Sequence, residues 1–257
     1  MFKKSFSFIV LTILSISAFS QELKDDLTRL QNGEDVNVLY KNEGSVGIYI
    51  HSAGGFGLSY RRGRHVHAKR KQMFEIEAQN FKHPKEIKMV NSYFENSKGF
   101  LYGKLNSFFI IRPGVGIQNQ LFQKSDKKSV EIRFSYFVGL DLTFAKPVYL
   151  EIIRPTGNAF EYSISTERYN PEAHYPDNIY GKASFFKGID KTKIHPGLYG
   201  KIAFSFEYAD RYNGLKAIET GAVVDAYPWV LPMMAYNKNQ QVFVQLYLKL
   251  IWGKKWF

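Results

Sequence analysis

Alternation of apolar and polar residues with a period of two is the main feature of the chain after residue 45. In the run 129–145, the even-numbered residues from Val130 to Phe144 are all apolar or aromatic, and most of the odd-numbered ones are polar or small. Successive side chains of a β-strand point to opposite faces, so this pattern predicts a strand with one apolar face. Similar runs predict further strands at 46–62, 72–80, 106–123, 147–153, 197–209, 215–227 and 241–252.

Two all-β architectures produce such alternation. A soluble β-sandwich turns the apolar face inward, whereas an outer-membrane barrel turns it toward lipid and the polar face toward the lumen. The run 129–145 is longer than the about five or six residues usual in soluble sheets, which favours the barrel. Charges of both signs also share the polar face, as in a narrow lumen filled by ion pairs: Glu75, Glu77, Arg112, Glu131, Arg133, Asp141, Lys201, Glu207, Glu219, Asp225 and Lys249. We therefore expect an antiparallel up-and-down transmembrane β-barrel over residues 45–257.

The number of strands follows from the runs, with one alternative. The runs as they stand predict eight strands, whose interior side chains can fill. With the C-terminus in the periplasm, this count places residues 81–105 in the periplasm as well. Breaking 46–62 at Ser52–Gly55 and 99–123 at Arg112–Gly114 would give ten strands and move 81–98 outside.

The first residues are typical of an export signal. Lys3 and Lys4 precede an apolar stretch at 6–19, and small residues surround a cleavage position between Ser20 and Gln21. Residues 1–20 are therefore predicted to be a signal peptide. Residues 21–44 form a predicted periplasmic segment, with a short amphipathic helix at 22–31. The expected location is the outer membrane of a Gram-negative bacterium.

Composition narrows the function classes. The 257 residues contain no cysteine, which excludes disulfides, thiolate metal sites, cysteine nucleophiles and a lipid anchor on a thiol. Lysine and arginine exceed aspartate and glutamate by 35 to 23, a net charge of +12. Export makes nucleic acid an improbable partner for that charge, and outer-membrane lipid and lipopolysaccharide are the expected ones. No pattern indicates a cofactor.

The densest basic run lies between two of the predicted strands. Its cations are Arg61, Arg62, Arg64, Lys69, Arg70 and Lys71. In the eight-strand orientation this run lies at the outer surface, where the phosphates of lipopolysaccharide would attract it. The alternative is a solvated turn.

Candidate chemistry is sparse. His51 has lumenal parity and could share a face with Ser59 and Ser205, but no spacing singles out a catalytic triad. Glu172, His174 and Asp177 could hold a divalent cation in the long connection 154–196, although three such residues in a loop are common by chance. The prediction is a non-catalytic protein without a metal site, and the alternative is a hydrolase or acyltransferase acting on lipid A or phospholipid.

From about Gly47 onward, the chain resembles a group of small outer-membrane β-barrel proteins of the Bacteroidota. The segments that carry the resemblance are 83–86 (HPKE), 102–106 (YGKLN), 112–116 (RPGVG) and 145–150 (AKPVYL). The resemblance implies an outer-membrane barrel without assigned catalytic residues. Such barrels include components of secretion and protein-assembly machines, of which the type IX secretion barrel PorT is one sort.

The first two of these segments flank the long connection that the eight-strand count places in the periplasm. A passive barrel has no need of such an excursion, so 81–106 is predicted to dock another subunit of an envelope complex. The candidate docking residues are His83, Pro84, Lys85, Glu86, Tyr102, Lys104 and Asn106. The predicted function is an accessory or scaffold subunit of an outer-membrane assembly or secretion complex. A passive structural or lipopolysaccharide-binding barrel is a further alternative.

Overall fold

The computed structural model describes residues 40–67, 69–94, 96–123, 130–156, 162–208 and 214–257. The predicted signal peptide at 1–20 and the predicted helix at 22–31 lie outside the described residues. The helices within the described ranges are two short 3-10 turns, Pro176–Asn178 and Ile189–Lys191. No helix in these ranges is long and apolar enough to cross a membrane.

Eight of the strands close into an antiparallel barrel. The strands in chain order are β1 (Asn42–His51), β2 (Gly55–His67), β3 (Arg70–Phe81), β4 (Lys88–Met89), β5 (Phe100–Leu101), β6 (Asn106–Phe122), β7 (Glu131–Pro147), β8 (Tyr149–Pro155), β9 (Tyr162–Arg168), β10 (Ile179–Lys182), β11 (Lys193–Glu207), β12 (Gly214–Ala226) and β13 (Val242–Trp256). The order around the barrel is β1-β13-β12-β11-β7-β6-β3-β2. The predicted all-β class and the eight-stranded antiparallel barrel are confirmed.

The predicted strand 46–62 is wrong, because it is a hairpin of β1 and β2. The chain reverses between His51 and Gly55, where Gly54 adopts a φ of +70° that a side chain would strain. His51 lies opposite Gly55, and Tyr49 opposite Gly57. Residues of the same parity therefore face the same side on both strands, and the alternation continues through the turn without a slip. Periodicity alone could not reveal this reversal.

The predicted barrel strand 147–153 is also wrong. β8 leaves the barrel wall and pairs with β9 and β10 in a separate three-stranded sheet. The ten-strand alternative is wrong as a count, because β6 continues through Pro113, which lies opposite Ile76 of β3. Its other break, at Ser52–Gly55, is confirmed by the hairpin of β1 and β2. Proline lacks an N–H group, and the β6–β7 register has no pair between Ile111 and Gly114. β6 therefore loses its pairing with β7 at this point but stays paired with β3, and it does not end there.

These corrections change which connections share an end of the barrel. We call the end where β1 begins and β13 ends the near end, and the opposite end the cap end. The connection 82–105 joins β3 to β6 at the cap end, together with the turn after β1 and the connections 148–192 and 227–241. The expectation that 81–105 lies on the side of the C-terminus is therefore wrong.

The described parts of 82–105, 148–192 and 227–241 form one folded unit, which we call the cap. Its hairpin of β4 and β5 and its sheet of order β10-β8-β9 enclose an apolar cluster of buried side chains: Phe100, Leu150, Ile152, Tyr169 and Ile179. The third connection is joined to the first by backbone hydrogen bonds, from Ala235 to the Gly103 carbonyl at 2.7 Å and from Leu105 to the Met233 carbonyl at 3.0 Å. The cap is thus a small packed domain rather than a set of separate loops.

The barrel wall is apolar outside and charged inside. On β13, alternate side chains from Val242 to Trp252 point outward and are 39–67% exposed. At about 3.3 Å per residue and a tilt of about 40°, this band is about 25 Å tall. Other strands continue it with Ile48, Ile50, Phe56, Leu58, Val115, Val138, Leu140, Leu198, Ile202 and Val224. A water-soluble barrel has the reverse arrangement, and this one is that of a transmembrane β-barrel.

Candidate functional site: a charged lumen beneath a folded cap

A cluster of three cations and three carboxylates occupies the centre of the lumen. It is formed by Arg61 on β2, Glu75 and Glu77 on β3, Lys201 on β11, Glu219 on β12 and Lys249 on β13. Arg61 bridges Glu75 and Glu219, with both N–O distances at 2.8 Å. Lys249 contacts Glu75 at 2.8 Å and Glu77 at 2.7 Å, and Lys201 donates to the same two carboxylates. The period of two brings these residues together, because each lies at an inward position of its strand.

Two further ion clusters lie along the lumen on either side of the first. Toward the cap, Arg112 donates to Asp225 at 2.6 Å and to Asp141 at 3.2 Å. Toward the near end, Arg133 pairs with Glu131 at 2.6 Å, with Glu43 at 3.3 Å and with Glu207. Lys71 and Lys255 complete that cluster through Glu43 and Glu207 respectively. Ion pairs therefore follow one another through the whole height of the barrel.

The ion pairs of the lumen are buried, which indicates that they stabilise the barrel. Arg112, Lys201 and Lys249 are each no more than 2% exposed. An isolated buried charge costs several kcal/mol, and only close partners and hydrogen bonds offset that cost. Neighbouring aromatic rings add to the compensation, since the Lys201 ammonium lies 4.5 Å from the centre of the Phe137 ring. The lumen is filled by matched side chains rather than left as an aqueous channel.

Apolar side chains close the lumen at the cap end. A buried cluster joins barrel strands to the connection 227–241, and its members are Phe81, Phe108, Ile110, Ala145, Tyr227, Leu231, Met233 and Met234. The cap and the barrel mouth are therefore one continuous packed region.

The sequence identified most of this network. All eleven charged residues assigned to the lumenal face point inward, and they are buried except Glu131, which is half-buried. The sequence reasoning missed Glu43, Arg61, Lys71 and Lys255. The basic run predicts Arg61 and Lys71 at the surface, although both have the parity of their lumenal neighbours Ser59 and Glu75.

The basic run does not form a single patch. Arg61 and Lys71 lie inside the barrel, Arg62 and Arg64 point outward, and Arg70 donates to Asn119 at 3.1 Å. Neighbouring residues of a strand face opposite sides, so a run of cations in sequence is divided between lumen and exterior. The run also lies at the near end, on the side of the C-terminus. With the C-terminus in the periplasm, the run would therefore lie on the periplasmic side and not at the outer surface, and the lipopolysaccharide contact stays a prediction.

The candidate docking residues lie in the cap, except Asn106 at the first position of β6, and several are internal. Lys104 and Glu86 form a salt bridge of 2.8 Å with side chains only 9% and 7% exposed. Asn106 donates to the Pro232 carbonyl at 2.7 Å, and Tyr102 packs against the apolar cluster of the cap. These residues hold the cap together. Pro84 and Lys85 are exposed and His83 is half-buried, so this part of the motif remains on the surface.

The candidate catalytic residues are not assembled. Ser59 lies opposite Gly47, four residues along β1 from His51, which separates the two levels by about 13 Å. Ser205 donates to Glu219 at 2.6 Å, and the Nε2 atom of His51 lies 3.0 Å from the Asn80 carbonyl oxygen. The lumenal serines thus have structural partners instead of a histidine.

The candidate metal residues of the cap are separated in the same way. His174 uses Nδ1 to accept a hydrogen bond from the Asn170 N–H at 3.1 Å, and its Nε2 lies 3.2 Å from Glu167. Among the described residues, the side-chain hydrogen-bond partners of His174 are Asn170 and Glu167, and they include neither Glu172 nor Asp177. In the part of the chain that the structure describes, no group of three or more histidine, aspartate or glutamate side chains could hold a metal ion.

Comparison with known proteins finds likeness in fold. No protein-family model and no curated protein sequence matches the chain. Neisserial surface protein A is 12% identical, covering 84% of this chain and 94% of its own, with a TM-score of 0.37. Ail, the attachment invasion locus protein of Yersinia pestis, is 8% identical over 85% of this chain and 100% of its own, with a TM-score of 0.40. The N-terminal β-barrel domain of OprF from Pseudomonas aeruginosa is 7% identical over 84% and 97%, with a TM-score of 0.33. At these identities the likeness is one of fold alone.

Proposed function

We propose that the chain is a non-catalytic β-barrel of a Gram-negative outer membrane, with its near end in the periplasm and its cap outside the cell. Bacterial barrels of this kind have an even number of strands, short periplasmic turns and longer extracellular loops. The connections at the near end, 68–69, 123–130 and 208–213, are short, and those that form the cap are mostly long. The predicted signal peptide supports the same location.

We propose further that the barrel is a scaffold subunit, which holds the cap at the cell surface for a protein partner. A lumen filled by ion pairs has no room for a diffusion pathway, so the part of the molecule that can act on its surroundings is the cap. The resemblance to small Bacteroidota barrels, which include components of secretion and assembly machines, supports a place in an envelope complex.

One observation carries the scaffold proposal: the cap exposes large apolar side chains although it has its own packed core. Ile87 is 70% exposed, Val90 56% and Tyr93 81%, all within seven residues of the first connection. Apolar and aromatic side chains grouped on a rigid surface are typical of protein interfaces. We therefore propose that the docking surface is 87–93, beside the predicted docking residues and, in the proposed orientation, outside the cell.

The test is purification of the tagged full-length protein from native outer membranes in mild detergent, with identification of chains that co-migrate in fixed ratio. The variant Ile87→Asp/Tyr93→Asp should lose these chains. Phe186→Asp is the control, because Phe186 is 76% exposed and follows Phe185, whose carbonyl accepts a hydrogen bond from Lys146 of β7 at 2.6 Å. Heat-modifiable mobility on gels shows that each variant retains its barrel.

Recovery of no stoichiometric partner with the unaltered protein would contradict the scaffold role and favour a passive barrel. Equal loss of partners from both variants would show that the docking surface is not at 87–93.

A further inference from the structure

A groove of about 1080 Å³ lies on the outer wall of the barrel at the near end. Its floor consists of outward-facing side chains of β2, β3, β6 and β7, and its edges include Lys41 and Phe257. The Phe257 ring packs against Tyr40, with 5.0 Å between the ring centres. The groove therefore lies where the apolar band of the barrel meets the end of the wall.

Two cross-strand rows form the floor of the groove, and each changes from cationic to apolar along its length. The first row is Arg64, Gln72, Ile117 and Tyr136, and the second is Arg62, Phe74, Val115 and Val138. Neighbouring strands are about 4.8 Å apart, so each row extends about 14 Å around the barrel. A cationic region at one side of the groove thus continues into an apolar surface.

Among the described residues, no carboxylate forms an ion pair with the cations of the groove. Lys41, Arg62 and Arg64 are exposed, and no ion pair joins them to another residue within the described ranges. Their neighbour Arg61, which points into the lumen, has two carboxylates at 2.8 Å. The inward cations are thus paired, whereas Arg62 and Arg64, which point outward, and Lys41 at the edge of the groove have no ion pair within the described ranges.

We propose that this groove binds an anionic phospholipid of the periplasmic leaflet. Lys41, Arg62 and Arg64 would contact the phosphate, and an acyl chain would lie along the apolar ends of the two rows. Guanidinium groups match phosphate oxygens in geometry and charge, and basic clusters beside an apolar membrane surface attract anionic lipid. The inference rests on the proposed membrane orientation, which puts the groove in the phospholipid leaflet and away from lipopolysaccharide.

The test uses the full mature protein in nanodiscs that contain phosphatidylcholine with or without phosphatidylglycerol. Native mass spectrometry after release should show phosphatidylglycerol retained in preference to phosphatidylcholine. The variant Arg62→Gln/Arg64→Gln should lower that preference by up to about 25-fold, since each cation near an anionic membrane contributes about a fivefold factor. The matched control is Lys216→Gln/Lys254→Gln, which removes two exposed outward cations of the same barrel end on β12 and β13.

Equal loss of preference in both variants would overturn the proposal, because it would show a general effect of surface charge. Equal retention of the two lipids by the unaltered protein would also overturn it. A dimer that persists after lipid removal and dissociates in Arg62→Gln/Arg64→Gln would show that a second copy of the chain occupies the groove. Failure of the protein to insert into nanodiscs would instead contradict the proposed membrane function, so the two failures are distinguishable.

Discussion

The ammonium group of Lys249 donates a hydrogen bond of 2.7 Å to the carboxylate of Glu77, and so links the last strand of the barrel to β3. β1 and β2 lie between these two strands in the wall. The contact therefore crosses the lumen and adds to the hydrogen bonds that run around the wall. Removal of a lumenal ion pair should for this reason affect the whole barrel.

Lys249→Met should lower the free energy of unfolding by about 3–5 kcal/mol, because it leaves Glu75 and Glu77 buried with less positive charge nearby. Urea unfolding in detergent, followed by heat-modifiable mobility, measures the change. Lys254→Met, on the same strand but pointing outward, should change stability by less than about 0.5 kcal/mol. Adding Glu77→Gln to Lys249→Met should restore part of the loss. Equal urea midpoints for Lys249→Met and Lys254→Met would contradict the prediction that lumenal ion pairs stabilise the barrel.

Liposomes that contain the unaltered protein should swell in small sugars no faster than protein-free liposomes. The reason is that lumenal side chains such as Arg112, at 1% exposure, occupy the path that a solute would take. A large porin in the same lipid provides the positive control. Swelling that increases with the amount of protein would show that the network opens in the membrane.

Glu86→Gln should loosen the cap and leave the barrel intact. The change removes the carboxylate that neutralises buried Lys104 at 2.8 Å, at a cost of about 3 kcal/mol within the cap. Hydrogen exchange of amides in 82–105 should become faster, while the thermal transition of the barrel stays where it is. Glu172→Gln, an exposed cap residue, serves as the control and should exchange like the unaltered protein. Unchanged protection in Glu86→Gln would show that the salt bridge does not hold the cap.

Low pH should weaken the β10-β8-β9 sheet of the cap, because it protonates the carboxylate of Glu167. Hydrogen bonds from Arg154, then from Ser165 and His174, lower the pKa of this carboxyl from 4.5 to about 2. Since the folded pKa lies below the unfolded one, the stabilisation is complete above about pH 4.5 and decreases as the pH falls toward 2. Proteolysis of the cap with an acid-stable protease across this interval should show the loss. Glu167→Gln should make the cap less sensitive to pH in this interval, although other cap carboxylates such as Glu86 still titrate. An unchanged acid response in this variant would contradict the assignment.

The inward and outward faces could be predicted from sequence because a strand has a strict period of two and the lumen demands paired charge. The same periodicity hid the turn at Gly54, since residues of equal parity oppose each other across it. It also predicts 147–153 as part of the barrel wall, because β8 alternates like any strand that covers an apolar core on one side.

The missed turn between β1 and β2 removes one strand from the predicted count, and the assignment of 147–153 to the wall adds one, so the total of eight is still correct. The missed reversal between β1 and β2 inverted the directions of the predicted strands 72–80, 106–123 and 129–145. The additional strand at 147–153 then restored the directions of the last three. The end of the barrel at which His83 and Lys104 lie depends on the strands between the two errors, so the sequence predicts the end that holds the C-terminus and the structure has the opposite one. Which strand pairs with which is set by contacts distant in sequence, and alternation carries no information about them.

The cap also imposes an order on biogenesis. In the proposed orientation its three connections must all pass through the bilayer as the hairpins of the barrel insert. A cap that had already packed Phe100 against Ile152 in the periplasm would be too bulky to cross. The connections therefore have to be translocated while unfolded, and the cap reaches its final form only after the wall is closed. Appearance of a protease-resistant cap is thus a marker of completed insertion, later than the formation of the barrel itself.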